Sequence, residues 1–128
     1  MLFLFLSVGA SDLTSSFLIK ENIQRIRPCN DKIFQKQVFL RAPCGSGYSF
    51  TSSHAANHFA IATFLSLAIG NILSIYRYML FFWAVSIGFA QVYVGVHYPL
   101  DVFVGFGVGW IFGLLMTYCS KWWEAKIF

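Results

Sequence analysis

A few residues are of the types, and at the spacings, that handling a phosphate would require. Lys20 and Arg27 are seven apart, close to two helical turns, so a continuing helix sets both on one face. Pro28 disfavours helical geometry at Arg27 and is expected to end that helix there. An ammonium point charge and a bidentate guanidinium at a membrane–water boundary make a clamp for an anion. The plainer reading is a pair of ordinary juxtamembrane cations.

A second group is Thr51-Ser52-Ser53-His54, which leads into an apolar run. Ser52 or Ser53 suits an N-cap, and the free N–H groups of a helix start suit an anion beside His54. By itself this is equally a capped helix with an incidental histidine. His54 and His58 have the i, i+4 spacing of a zinc pair. However, Ala55 stands where a zinc protease carries glutamate, and no third ligand lies nearby, so no metal is expected.

The third group closes with His97 and Asp101, six and ten residues after Gln91. The expectation is that His97 ends one helix and Asp101 opens the next, with Pro99 in the first turn between them. A carboxylate on one imidazole nitrogen fixes the tautomer, leaves the other nitrogen free to attack, and stabilises the ring once charged. The alternative is a structural bond joining two helices.

The elements that must position these groups are membrane helices. Of the 128 residues 58% are hydrophobic and only 11% charged, where a soluble domain carries about 25% charge. Three stretches, His58–Tyr76, Tyr78–Leu100 and Val102–Ser120, carry no charge over a length that can cross a bilayer. Met1–Ile19 is read as a fourth such helix; a signal peptide is the alternative, but it lacks a basic start. The expected fold is therefore an all-α integral-membrane bundle of about four spanning helices, forming a single domain over residues 1–128. Its long polar segment, about 20–53, holds six of the nine basic residues. Alternating spans put that segment and the His97–Asp101 turn on the same membrane face. Gly105, Gly109 and Gly113, at four-residue steps, mark a close helix contact. Cys29 and Cys44 both lie in the polar segment. They are expected to pair if it faces an oxidising compartment and to stay free thiols otherwise.

Together the three groups resemble the type 2 phosphatidic acid phosphatase superfamily, whose pattern is K-x6-R-P, then P-S-G-H, then S-R-x5-H-x3-D. Lys20 to Arg27-Pro28 matches the first motif fully, Ser52 and His54 match the second, and His97 and Asp101 match the third in spacing. The resemblance implies a membrane phosphatase without cofactor. In it His97 is the nucleophile that becomes a phosphohistidine, Asp101 orients it, and His54 is general acid and then base. Lys20, Arg27, Ser52, the N–H of Ser53 and Gln91 hold the phosphate. The implied partners are the bilayer and a lipid phosphate such as phosphatidic acid, phosphatidylglycerol phosphate, a polyprenyl diphosphate or lipid A. Nucleic acid is not an expected partner, and the sequence leaves the oligomeric state open. Such members usually have six spanning helices, so the N-terminal part is expected to be missing here.

Two departures bear on activity. Ala90-Gln91 replaces the family's Ser-Arg, and Thr51 and Ser53 replace Pro and Gly. A lost charge-assisted contact to a developing anion costs about 2–4 kcal/mol, or ~30- to 1000-fold in rate. Arg25 and Arg41 are the candidates to replace that charge. A catalytically impaired lipid-phosphate binder is the alternative reading. Counting basic residues puts the motif face in the cytoplasm. The resemblance instead implies the periplasmic face of a bacterial inner membrane.

Overall fold

The computed structural model describes residues 1–69 and 74–127, and those residues are helical or irregular. Helix α1 covers Leu2–Leu13, continues through a π-helical turn, Thr14–Ile19, and ends in the short α2, Lys20–Ile23. Then come α3 (Ser53–Ala68), α4 (Tyr76–Tyr93) and α5 (Pro99–Ile127). Two runs are long and apolar enough to cross a membrane, Leu2–Ile23 at 22 residues and Pro99–Ile127 at 29. The 16 residues of α3 and 18 of α4 reach about 24 and 27 Å at 1.5 Å per residue, slightly less than a hydrocarbon core. The charge-free stretch His58–Tyr76 includes residues 70–73, which lie outside the described residues.

Three boundaries differ from the sequence expectation. The first helix stops at Ile23, because Gln24 takes a left-handed conformation at φ 52°. Lys20 and Arg27 therefore do not share a helix face; Arg27 is brought in by the loop. Helix α4 ends at Tyr93, four residues before His97, and Gly95 turns the chain at φ 81°. A side chain on Gly95 would also strike Val38, which packs against it. The last helix starts at Pro99 as expected, and runs on to Ile127 instead of stopping near Ser120.

Burial is arranged as a bilayer requires. Ala55, Ala56, Ala60, Ala62 and Ala84 are fully buried, as are Ser7, Ser11 and Ser15, while Phe5, Phe17, Phe82, Phe89 and Phe103 face outward. In lipid there is little hydrophobic force between helices, so close backbone approach and polar contacts must hold them. The expected glycine contact is present. A Cβ on Gly109 would overlap the Ala56 carbonyl oxygen, and one on Gly113 would come within 2.5 Å of Thr63 Cβ. Helix α5 thus lies nearly in backbone contact with α3. This approach brings α5's first turn to the start of α3, where Ser52 N–H donates to the Asp101 carbonyl at 3.1 Å.

At the same end, Cys29 and Cys44 form a disulfide. Ser49 N–H donates to the Arg25 carbonyl at 2.7 Å, and Arg41 N–H to that of Val94 at 3.5 Å. The polar segment and the His97 turn therefore sit at one end of the bundle.

Gly109→Ala should separate α5 from α3 and cost about 1–3 kcal/mol. A thermal melt of the detergent-solubilised protein should show this as a clear drop in midpoint. Gly107→Ala, whose Cβ would meet nothing within 4 Å, should leave the midpoint within error.

Candidate active site

Asp101 lies in the first turn of α5, where a negative charge meets the helix dipole favourably, and it is 0% exposed. A carboxylate so buried needs donors on both oxygens. Oδ1 accepts from Arg25 Nη1 at 2.9 Å; Oδ2 accepts from Tyr98 N–H at 2.9 Å and from the Ser49 hydroxyl. The Arg25 guanidinium also lies over the Tyr98 ring, 4.1 Å from its centroid. The Tyr98 hydroxyl in turn donates to Asp31 at 3.1 Å.

His97 is 3% exposed. Its Nδ1 is 3.7 Å from Asp101 Oδ2, in ion-pair range but too long for a direct hydrogen bond. The Ser49 hydroxyl bridges the gap, 3.4 Å from Nδ1. Since Ser49 donates its proton to the carboxylate, its oxygen is left to accept from Nδ1–H. That fixes the tautomer whose Nε2 lone pair is free. Burial, the largest influence, lowers the His97 pKa from its ordinary 6.5; Asp101 opposes this, and Arg27 and Lys20 add to it. The ring is therefore neutral at pH values where an exposed histidine is half protonated.

Arg27 is oriented by three carbonyls, donating to Gly47 at 3.3 Å and to Ser46 and Val96 at 3.4 Å each. Lys20, Arg27, His54 and His97 lie within electrostatic reach of one another. Ser52 caps α3, its hydroxyl accepting from Ala55 N–H at 3.3 Å. Ser53 points its hydroxyl at Ser15 and Ser16, 3.0 Å from each, so only its N–H, without an intrahelical acceptor, faces outward from the helix start. His58 is occupied otherwise: its Nδ1–H donates to the His54 carbonyl at 2.7 Å and its ring packs on Trp83.

Next to His97, on the loop side, an apolar groove of about 530 Å³ runs between residues 34–41 and 92–99. Lys20, Arg27 and His54 do not line it, so it is not where the cations would hold a phosphate.

The chain matches the family model described as "PAP2 superfamily" over residues 1–125. The chain belongs to the PAP2 superfamily. It is 35% identical over 111 residues to a lipid A 4'-phosphatase of Bacteroides thetaiotaomicron, covering 80% of this chain and 47% of the relative. It is 32% identical over 132 residues to a phosphatidylglycerophosphatase B of Bacillus subtilis, covering 97% and 58%. The solved structure of a transmembrane PAP2-type phosphatidylglycerolphosphate phosphatase from Bacillus subtilis superposes with a TM-score of 0.61. The identity is 30%, and the match covers 99% of this chain and 60% of that one. The chain thus spans about half the length of the curated relatives it matches.

Within this PAP2 chain, two residues hold Asp101 in ways the sequence does not signal. Ser49 is one, because a lone loop serine carries no spacing signal. The sequence offers Arg25 as a candidate for the charge lost at Gln91; instead its guanidinium is committed to Asp101. Arg41 does not fill that role either, since its guanidinium lies over the Tyr93 ring at 4.8 Å. The Gln91 side chain makes no hydrogen bond among the described residues, whereas its carbonyl accepts the N–H groups of Val96 and His97, both at 3.2 Å. Gln91 thereby shapes the turn that presents His97.

Two outcomes are expected. In a pH profile of kcat/KM, the acid limb governed by His97 should fall below 6.5, because its proton leaves at lower pH. Ser49→Ala should lower kcat about 10- to 100-fold, the range of a lost orienting contact, with little change in KM.

Proposed function

We propose that this PAP2 chain is a membrane phosphatase that hydrolyses a lipid phosphate ester or diphosphate through a phosphohistidine at His97. The observation that carries this reading is the buried Asp101–Ser49–His97 relay, which lies within electrostatic reach of Lys20, Arg27 and His54. His97 Nε2 attacks phosphorus and forms a P–N bond as the P–O bond to the lipid breaks. His54 gives its proton to the departing oxygen. It then takes one from water, which attacks phosphorus, breaks the P–N bond and releases phosphate with neutral His97. Lys20 and Arg27, with Ser52 and the Ser53 N–H, neutralise charge on the equatorial oxygens, which is where phosphoryl transfer needs help.

The substrate class is supported by the relatives, named as lipid A phosphatases, a phosphatidylglycerophosphatase and an undecaprenyl-diphosphatase. Four spanning helices in a bacterial inner membrane, with the site on the periplasmic face, agree with the Cys29–Cys44 disulfide beside the site, since such bonds persist in oxidising compartments. A lipid-phosphate binder with impaired turnover is favoured by one observation: neither Arg25, paired with Asp101, nor Arg41, lying over Tyr93, supplies the cation that Gln91 lacks.

Brief mixing of the full chain in nanodiscs with a ³²P-labelled lipid phosphate should trap acid-labile, base-stable label on His97. His97→Ala should lose both label and phosphate release, and vanadate should inhibit competitively. Phosphate release that persists in His97→Ala would refute the mechanism, and tight binding with no turnover would select the binder.

A further inference from the structure

Arg27 is held differently from its neighbours in the site. Asp101 is fixed by a packed helix and by buried hydrogen bonds. The Arg27 guanidinium is aimed by backbone carbonyls, and two of the three, Ser46 and Gly47, belong to the irregular segment ahead of α3. Gly45 approaches the same group: a Cβ there would stand 3.6 Å from the guanidinium carbon. Residues 45–47 thus form a wall along one side of the cation.

That wall has little support of its own. It belongs to no helix or strand, and among the described residues none from 42 to 48 takes part in a backbone–backbone hydrogen bond. The flanking bonds are at Arg41, to Val94, and at Ser49, to Arg25. Arg27 cannot supply the missing support, since a wall that rests on a side chain cannot also aim it. The chain on the far side of Arg27 is firmer. The Arg27 carbonyl accepts the N–H groups of Asn30 and Asp31, both at 2.9 Å, and Asp31 takes the Tyr98 hydroxyl. Cys29 sits inside that turn, two residues after Arg27, and Cys44 comes immediately before the wall. Their disulfide ties the unsupported segment to the firm one.

We propose that the Cys29–Cys44 disulfide is the positioning device for Arg27, so that the phosphate site is complete only when this loop is oxidised. This deepens the phosphatase reading and rests on it. When the bond forms, two cysteine thiols give up two protons and two electrons to a disulfide oxidant, whose own S–S bond becomes two thiols. A small dithiol runs the same exchange backwards, and both cysteines are partly exposed to it. With the bond broken, Arg27 keeps its charge and its place in the chain but loses its fixed aim. The cost of ordering it then falls on substrate binding and not on the chemical step. Ser49 keeps its own bonds, to Asp101 and to the Arg25 carbonyl, so the relay behind His97 stays in place. The result is an enzyme that holds its substrate weakly under reducing conditions and tightly under oxidising ones.

The test uses the full chain in nanodiscs, before and after treatment with dithiothreitol, well below the melting midpoint of the reduced form. Thiol labelling follows the bond, with the exposed free Cys119 as the constant background. Dioctanoyl phosphatidic acid serves as substrate and inorganic phosphate as the competitive probe of affinity. Reduction should raise KM and the phosphate Ki about tenfold and leave kcat within about threefold, the pattern of lost preorganisation. Reoxidation should reverse it. The double variant Cys29→Ser/Cys44→Ser should behave as the reduced protein and ignore dithiothreitol. Arg27→Lys, which keeps the charge but not the planar fork, should no longer respond to reduction. Unchanged KM and Ki in protein whose two thiols are shown to be free overturn the proposal and leave the phosphatase standing. A response of undiminished size in Arg27→Lys means that the bond acts elsewhere, and overturns it too. If the oxidised wild type releases no phosphate, the phosphatase reading itself falls.

Discussion

Everything at the polar end of the bundle is organised by one buried anion. The Asp101 carboxylate collects Arg25 from the loop, Ser49 from just before α3 and the backbone of Tyr98, while its own carbonyl takes the N–H of Ser52. Four points of attachment on one residue draw three separate chain segments to a common centre. A buried carboxylate cannot be left half satisfied without a cost of several kcal/mol. The need to ionise and solvate Asp101 thus specifies the architecture, and the orientation of His97 follows from it.

The contact between α5 and α3 makes that centre possible. Side chains at Gly105, Gly109 and Gly113 would hold the helices apart, and the Ser52–Asp101 link would open with them. The membrane favours this solution. Large residues are comfortable outside in lipid, so the interior can consist of alanine, glycine and serine at very short range.

The sequence made the chemistry legible where residue type and spacing are rigid. Pro99 and Asp101 in the first turn of the last helix and a serine cap ahead of His54 each have a local physical meaning and stand in the structure where the pattern put them, whereas His97 lies four residues beyond the end of α4. The illegible parts depended on tertiary choices. Nothing local says that Gln24 will turn left-handed and end a helix early, or that α4 will stop at Tyr93. Ser49 acts only because a loop folds back over the turn that carries His97. Arg25 and Arg27 are two residues apart with similar side chains, yet one meets a carboxylate and the other meets carbonyls. Sequence separation could not sort them.

The π-helical turn at Thr14–Ile19 has a consequence for how the ammonium group is aimed. Lys20 N–H bonds to the Ser15 carbonyl, a five-residue step where an α-helix takes four. Ser7, Ser11 and Ser15 form an inward stripe at four-residue steps. An unbroken α-helix would carry that stripe on to Ile19 and swing residue 20 about 100° further round. The wider turn absorbs one surplus residue, so the cation stands above Ser15 and over the same seam. One surplus residue is thus converted into an angular correction, and this helix is in register with its neighbours below the bulge and with the cluster of Arg27, His54 and His97 above it.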